Sequence, residues 1–286
     1  MALKTLTAST EITQYVLTHM MKRLNETEPY EEPFPYIAVT NIFPDDIYAE
    51  LIENLPEQSN YTTMGERHIM ENGESNRFEF ELASERINQG FNEQQQQLWL
   101  GIRNALASSE LKQAVFNCLS SGIAYRFGID RSEVNQIEAF PRLSLMREKP
   151  GYFITPHPDT RKKIVTFQIA LPRDRSQLEL GTALYRRNLV PQHVLGKPKG
   201  FRGFEKVKQN PFEPNSAFAF SVINTLRKKS WHGREQLEGD SGIRNSLLNI
   251  YYAKQEHVIP KQTIPKCDPE IASQIRNALD EAEKQQ

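Results

Sequence analysis

The sequence predicts an α+β protein in which helices come first and strands follow. Three observations carry this. Apolar residues recur at helical spacing in the first third of the chain. From Val134 onward, short apolar or alternating runs are divided by Gly, Pro and polar clusters. No stretch of 18 apolar residues interrupts either half, so no membrane span is expected. With 286 residues, 38% of them hydrophobic, the chain can bury a full core without disulfide staples.

The elements follow in order. Ile12, Val16, Leu17, Met20 and Leu24 lie along one helical stripe. Residues 32–39 read as a short extended entry, because each of the two prolines there disfavours helix at the residue before it. Pro44-Asp45-Asp46 puts proline and acids in the first turn of a helix reaching about Asn54. Residues 60–90 are polar and show no clear period. Residues 92–127 read as one or two helices with a break near Ser108-Ser109. Strands are expected at 141–146, 152–155, 164–171, 182–185, 217–223 and 247–252, and several short strands punctuated by turns suggest an all-β sandwich or barrel. Residues 188–214, rich in Pro, Gly and Lys, read as a long loop, and 269–284 as a closing helix. The organisation is a mainly helical part at 1–133, a β-rich core at 134–256 and a helical tail at 257–286, all in one compact domain.

Composition narrows the function. Two cysteines, Cys118 and Cys267, exclude a disulfide scaffold and a four-cysteine metal knuckle. The N-terminus is too short and polar for a secretory signal, so a cytoplasmic protein is expected. A formal charge of −1 argues against a nucleic-acid partner. Residues 161–229 nevertheless hold 15 basic and 4 acidic residues, a solvated insert or a rim that attracts an anionic substrate.

The chemistry concentrates in three short segments. In Phe153-Ile-Thr-Pro-His157-Pro-Asp159, His157 and Asp159 are two apart on an extended chain, so both project to one side. Ser230-Trp231-His232-Gly233 follows an apolar run and lies 75 residues beyond His157. Two histidines and one carboxylate leave three positions open on an octahedral ion, which suits Fe(II) that must bind O2. Arg244 and Ser246 then share a face of the last strand, where a guanidinium and a hydroxyl can clamp a carboxylate. Phe167, Phe218 and Phe220 read as core, and Trp231 as packing.

Taken together, His157-x-Asp159, His232 and Arg244-x-Ser246 resemble the Fe(II)/2-oxoglutarate-dependent dioxygenase superfamily. The run Leu145-Met-Arg-Glu-Lys-Pro-Gly-Tyr-Phe-Ile-Thr-Pro-His-Pro-Asp is similar to its prolyl-hydroxylase-like branch, as is the opening Pro33-Phe-Pro-Tyr-Ile-Ala-Val. The resemblance implies a double-stranded β-helix (jelly-roll) core carrying the N-terminal helices. It implies iron on His157, Asp159 and His232, with the far carboxylate of 2-oxoglutarate on Arg244 and Ser246. It also implies O2-dependent hydroxylation of a C–H bond in a small molecule, amino acid or peptide. Many relatives carry a cosubstrate-binding tyrosine in the strand before the His-x-Asp pair. Here that strand reads Met146-Arg147-Glu148, leaving Arg142, Arg147 or Tyr185 as candidates for its place. A carboxylate at Asp159 points away from the related halogenases. Two other readings stand beside this one: a non-catalytic jelly-roll binding protein, and a metal-dependent hydrolase using the same three ligands.

Overall fold

A computed structural model describes residues 8–64, 75–188, 200–236 and 242–258. Helix α1 (Ser9–Asn25) buries Ile12, Val16, Met20 and Leu24, the predicted stripe. Strand β1 spans Tyr36–Thr40, and α2 (Asp45–Glu53) starts behind Pro44 with Asp45 and Asp46 in its first turn. The aperiodic stretch contains β2 (Thr62–Thr63), β3 (Arg77–Glu81) and α3 (Ser84–Gly90). Helix α4 (Glu93–Ala107) opens on a reciprocal cap between Asn92 and Gln95. Ser108 closes it, and its hydroxyl accepts the Leu111 amide to start α5 (Ser109–Cys118). Helix α6 (Ser120–Phe127) stops at Gly128, whose left-handed φ of 67° glycine adopts without strain. Three helices therefore occupy a region read as one or two.

Eight strands follow: β4 (Phe140–Glu148), β5 (Ile154–His157), β6 (Lys163–Ala170), β7 (Ala183–Arg187), β8 (Phe204–Gln209), β9 (Ser216–Ser221), β10 (His232–Arg234) and β11 (Arg244–Tyr252). With β1, β2 and β3 they form two antiparallel sheets, ordered β1-β9-β6-β11-β4-β3-β2 and β5-β10-β7-β8. From β4 to β11 the chain passes repeatedly between the two sheets.

One expectation needs extending and one needs correction. The mainly helical N-terminal part also supplies strands: β1, at the expected extended entry, pairs with β9 at one edge of the large sheet, and β3 with β4 toward the other. These strands cover edges that would otherwise expose unpaired backbone. The long loop at 188–214 contains β8, which pairs with β7. None of its side chains is buried, so no apolar alternation marked it. The rest of that loop at 189–199, the helix expected at 269–284, His68, His193 and Cys267 lie outside the described residues. Among the described residues, no helix is long and apolar enough to cross a membrane.

The large sheet sorts its side chains by the period of two. Leu143 and Leu145 of β4, Val165, Phe167 and Ile169 of β6, and Leu247 and Tyr251 of β11 pack against the helices in the main core. Each such side chain contributes about 1.5–3 kcal/mol by leaving water. The alternate residues Glu148, Thr166, Gln168, Arg244, Leu248 and Ile250 face a pocket shared with the small sheet.

Candidate active site

His157 ends β5 and lies directly opposite His232 of β10 in the small sheet. Their ring centroids are 4.4 Å apart. Gly233 permits this approach: a Cβ built there would sit 2.6 Å from the Ile154 carbonyl oxygen, which backbone cannot tolerate. Asp159 follows on the exit from β5, and one ligand atom each from His157, Asp159 and His232 lie within 4.8 Å of one another.

The backbone fixes how each histidine presents itself. Nδ1 of His157 lies 2.9 Å from the Thr155 carbonyl, and Nδ1 of His232 lies 2.9 Å from the Ser230 carbonyl. A carbonyl only accepts, so each Nδ1 carries a proton and each Nε2 keeps its lone pair for a metal. Burial lowers the His232 pKa to about 4, and the neighbouring His157 pushes in the same direction. Burial likewise lowers that of His157 against the pull of Asp159. Both rings are therefore neutral at pH 7, the ligating form.

Asp159 is held as a carboxylate. Burial favours its neutral form, but the charge of Lys163, foremost, with hydrogen bonds from Lys163 and Thr166, keeps the carboxyl well below the usual range. Lys163 Nζ donates to Oδ1 at 2.6 Å, and Thr166 Oγ1 donates to Oδ2 at 2.7 Å. Two imidazole nitrogens and one oriented carboxylate fit a divalent ion such as Fe(II), and the three-residue set leaves coordination positions open.

The far end of the pocket is a buried charge cluster. Glu148 is 3% exposed. Its carboxylate meets Arg244 Nη1 at 2.7 Å, Arg77 Nε at 3.1 Å and Arg234 Nη1 at 3.5 Å. Burial alone would raise the Glu148 pKa, yet the three arginines, Arg244 foremost, hold it down at about 2. Arg244 also donates from Nε to the Leu180 carbonyl at 2.9 Å and from Nη2 to Gln168 Oε1 at 3.2 Å. Its guanidinium lies 4.0 Å from the centre of the Phe212 ring. Ser246 is fully buried, 3.4 Å from Arg244 Nη1 and 3.3 Å from Gln168 Nε2.

The structure thus brings His157, Asp159 and His232 together and lines the same pocket with Arg244. It does not bring in the other candidates. Arg142 pairs with Glu79 at 2.9 Å, Arg147 stands over the Tyr61 ring, and the Tyr185 hydroxyl bonds Glu235. Phe167 is core as expected, and Trp231 packs edge-on against Phe204. Phe218 and Phe220 depart from a simple core role: they join a small cluster with Phe34 and Tyr36 and also form an apolar wall of the pocket. In the basic segment, Arg173, Arg186 and Lys206 pair with Glu53, Glu32 and Glu235, while Lys163 enters the pocket.

Sequence reasoning missed Glu148, Arg234, Lys163, Thr166 and Arg77. The period of two carried a signal for two of them: Arg234 lies two residues beyond His232 on a strand, and Arg77 opens β3, where Phe78 and Phe80 alternate with charged residues.

No family model matches the chain, and no curated protein matches it. Among solved structures it is similar to 2-oxoglutarate Fe(II) oxygenases. A prolyl-4-hydroxylase from Pseudomonas putida has 12% identity and a TM-score of 0.45, over 83% of this chain and 99% of that one. A 2OG-Fe(II) oxygenase family oxidoreductase from Burkholderia pseudomallei has 15% identity and a TM-score of 0.44, over 83% and 91%. HygX from Streptomyces hygroscopicus, with nickel and 2-oxoglutarate bound, has 9% identity and a TM-score of 0.46, over 76% and 82%.

Proposed function

We propose that this chain is an Fe(II)- and 2-oxoglutarate-dependent oxygenase that hydroxylates a C–H bond of a small molecule, amino acid or peptide. The observation that carries the reading is the triad itself. Two neutral histidines, each tied through Nδ1 to a backbone carbonyl, converge with an oriented aspartate on a pocket that ends in arginines. The passage of β4 to β11 back and forth between two sheets is the winding expected of a double-stranded β-helix.

His157, Asp159 and His232 would hold the iron. Bound together, iron and 2-oxoglutarate supply oxidative decarboxylation to succinate and CO2 coupled to oxidation of the substrate by O2. The chain's own part is orientation. Thr166 and Lys163 fix the Asp159 carboxylate, and Thr155 and Ser230 fix the imidazoles. The arginine end, with Arg244 in its wall and Ser246 buried behind it, would attract the far carboxylate of the cosubstrate, since its charge is incompletely balanced by Glu148. Phe218, Phe220, Leu248 and Ile250 offer apolar surface that keeps water from the reacting centre.

The test is direct. Anaerobic addition of Fe(II) and 2-oxoglutarate is expected to give a weak visible charge-transfer band, and aerobic incubation with a panel of metabolites and peptides to release succinate. A protein that never consumes 2-oxoglutarate and shows no band refutes the reading.

A further inference from the structure

Three arginines share one glutamate at the end of this pocket, and they are not equivalent. Arg244 is committed within the chain. Nε is on Leu180, Nη1 on Glu148 and Nη2 on Gln168, and Phe212 lies against its face. Arg234 is also buried, at 6% exposure, and lines the same pocket as His232, which precedes it by two residues on β10. Its Nη2 donates to the Tyr152 carbonyl at 2.8 Å, and its guanidinium stands 4.5 Å from the centre of the Tyr152 ring. Its approach to Glu148 is the longest of the three, at 3.5 Å. Its Nε is buried with no acceptor among the described residues.

A buried guanidinium N–H without an acceptor is costly. The Nε atoms of Arg77, Arg142 and Arg147 share that state, but among the four only Arg77 and Arg234 line the pocket, where a ligand oxygen can reach them. The charge count agrees. Arg77, Lys163, Arg234 and Arg244 face the pocket against Glu148 and Asp159, so anions are favoured there before any metal is counted.

Resting on the cosubstrate reading above, we propose that Arg234 is a specificity-determining residue that reads the distal carboxylate of the 2-oxo acid, while Glu148 is a positioning residue that keeps Arg244 in the pocket wall. Glu148 stands on β4, and its carboxylate gathers three arginines while Arg77 and Arg234 each keep an Nε that makes no hydrogen bond among the described residues; of the two, Arg234 lies farther from Glu148. Lys cannot reproduce the planar fork at Arg234, so charge alone does not replace it.

The experiment compares 2-oxoglutarate with 2-oxopentanoate, which has the same five-carbon chain and a methyl in place of the distal carboxylate. Both are titrated calorimetrically and without oxygen into the Fe(II)-loaded full chain. The wild type is expected to prefer 2-oxoglutarate by about 30-fold or more, the size of a buried charged contact. Arg234→Gln is expected to reduce that preference to within about 5-fold while leaving the affinity for 2-oxopentanoate and for Fe(II) unchanged. Arg234→Lys keeps a positive charge beside Glu148, and therefore the fold, and is expected to lose about 10-fold of the preference. A folded Arg234→Gln or Arg234→Lys protein with the full wild-type preference overturns the assignment of Arg234 and leaves the cosubstrate reading standing. Equal wild-type affinity for the two acids also overturns it. If the wild type binds neither acid, the cosubstrate reading fails first, and the inference with it.

Discussion

The two faces of the large sheet are made from the same strands and do opposite things. On β6, Val165, Phe167 and Ile169 pack on helices, while Thr166 and Gln168 between them face the pocket. On β11, Leu247 and Tyr251 belong to the core, while Arg244 and Ser246 join the charge cluster. One face is held by non-directional burial and the other by hydrogen bonds and ion pairs that leave donors available. Stability and chemistry are thereby assigned to alternate residues of one strand, so a substitution at position i and one at i+1 fail in different ways.

The largest effect is expected on the pocket face. Asp159→Ala or His232→Ala should abolish Fe(II) retention and turnover, because two remaining ligands grip a labile ion poorly, and circular dichroism should show the fold intact. Full activity in either variant removes the metal centre from the comparison. On the helix face, Phe167→Ala should cost about 3–5 kcal/mol in denaturant unfolding, with the metal affinity of the folded protein unchanged. If the metal affinity falls with stability, the two faces are not independent.

Glu148 tests the pocket face for a structural share. Glu148→Gln leaves the buried Arg234 and Arg244 and the half-buried Arg77 without their counterion and should cost about 3–5 kcal/mol at pH 7. The sign with pH follows from the lowered pKa. The Glu148 contribution is fully present above the unfolded value near 4.3 and disappears as pH falls through the folded value of about 2. The stability gap between wild type and Glu148→Gln should therefore close between pH 4 and 2, as measured by urea unfolding at each pH. A gap that is constant over this range would mean that the carboxylate charge is not what stabilises the cluster. The smallest effect is expected at Thr166→Val, which removes one hydrogen bond to Asp159 and should weaken Fe(II) binding by about 10-fold in a chelator competition, with little change in melting temperature.

Much of this was legible in the sequence where one period or one motif decided it. The α1 stripe, the helix break near Ser108 and the apolar runs of β6 and β11 each follow from local spacing, and His157, Asp159 and His232 from motif chemistry. What escaped depends on pairing between distant segments. Strand β8 is recognisable only by its partner β7, because none of its side chains is buried. Strand β3 does alternate, with Phe78 and Phe80 buried between charged residues, but its five residues stand in an otherwise polar stretch, and its pairing with β4 decides it. The charge cluster escaped for the same reason. Glu148, Arg77, Arg234 and Arg244 come from four separate strands, and nothing in any one segment states that they meet.

Gly233 has a consequence for affinity that no ligand atom carries. Because β10 lies so close to β5 there, an ion held by one imidazole sees the other at high effective concentration, and the chelate effect follows from the spacing of two backbones. A single added methyl would push the strands apart, and the same two histidines would then bind as separate, weak monodentate groups. The position that sets the grip on the metal is thus one with no side chain at all.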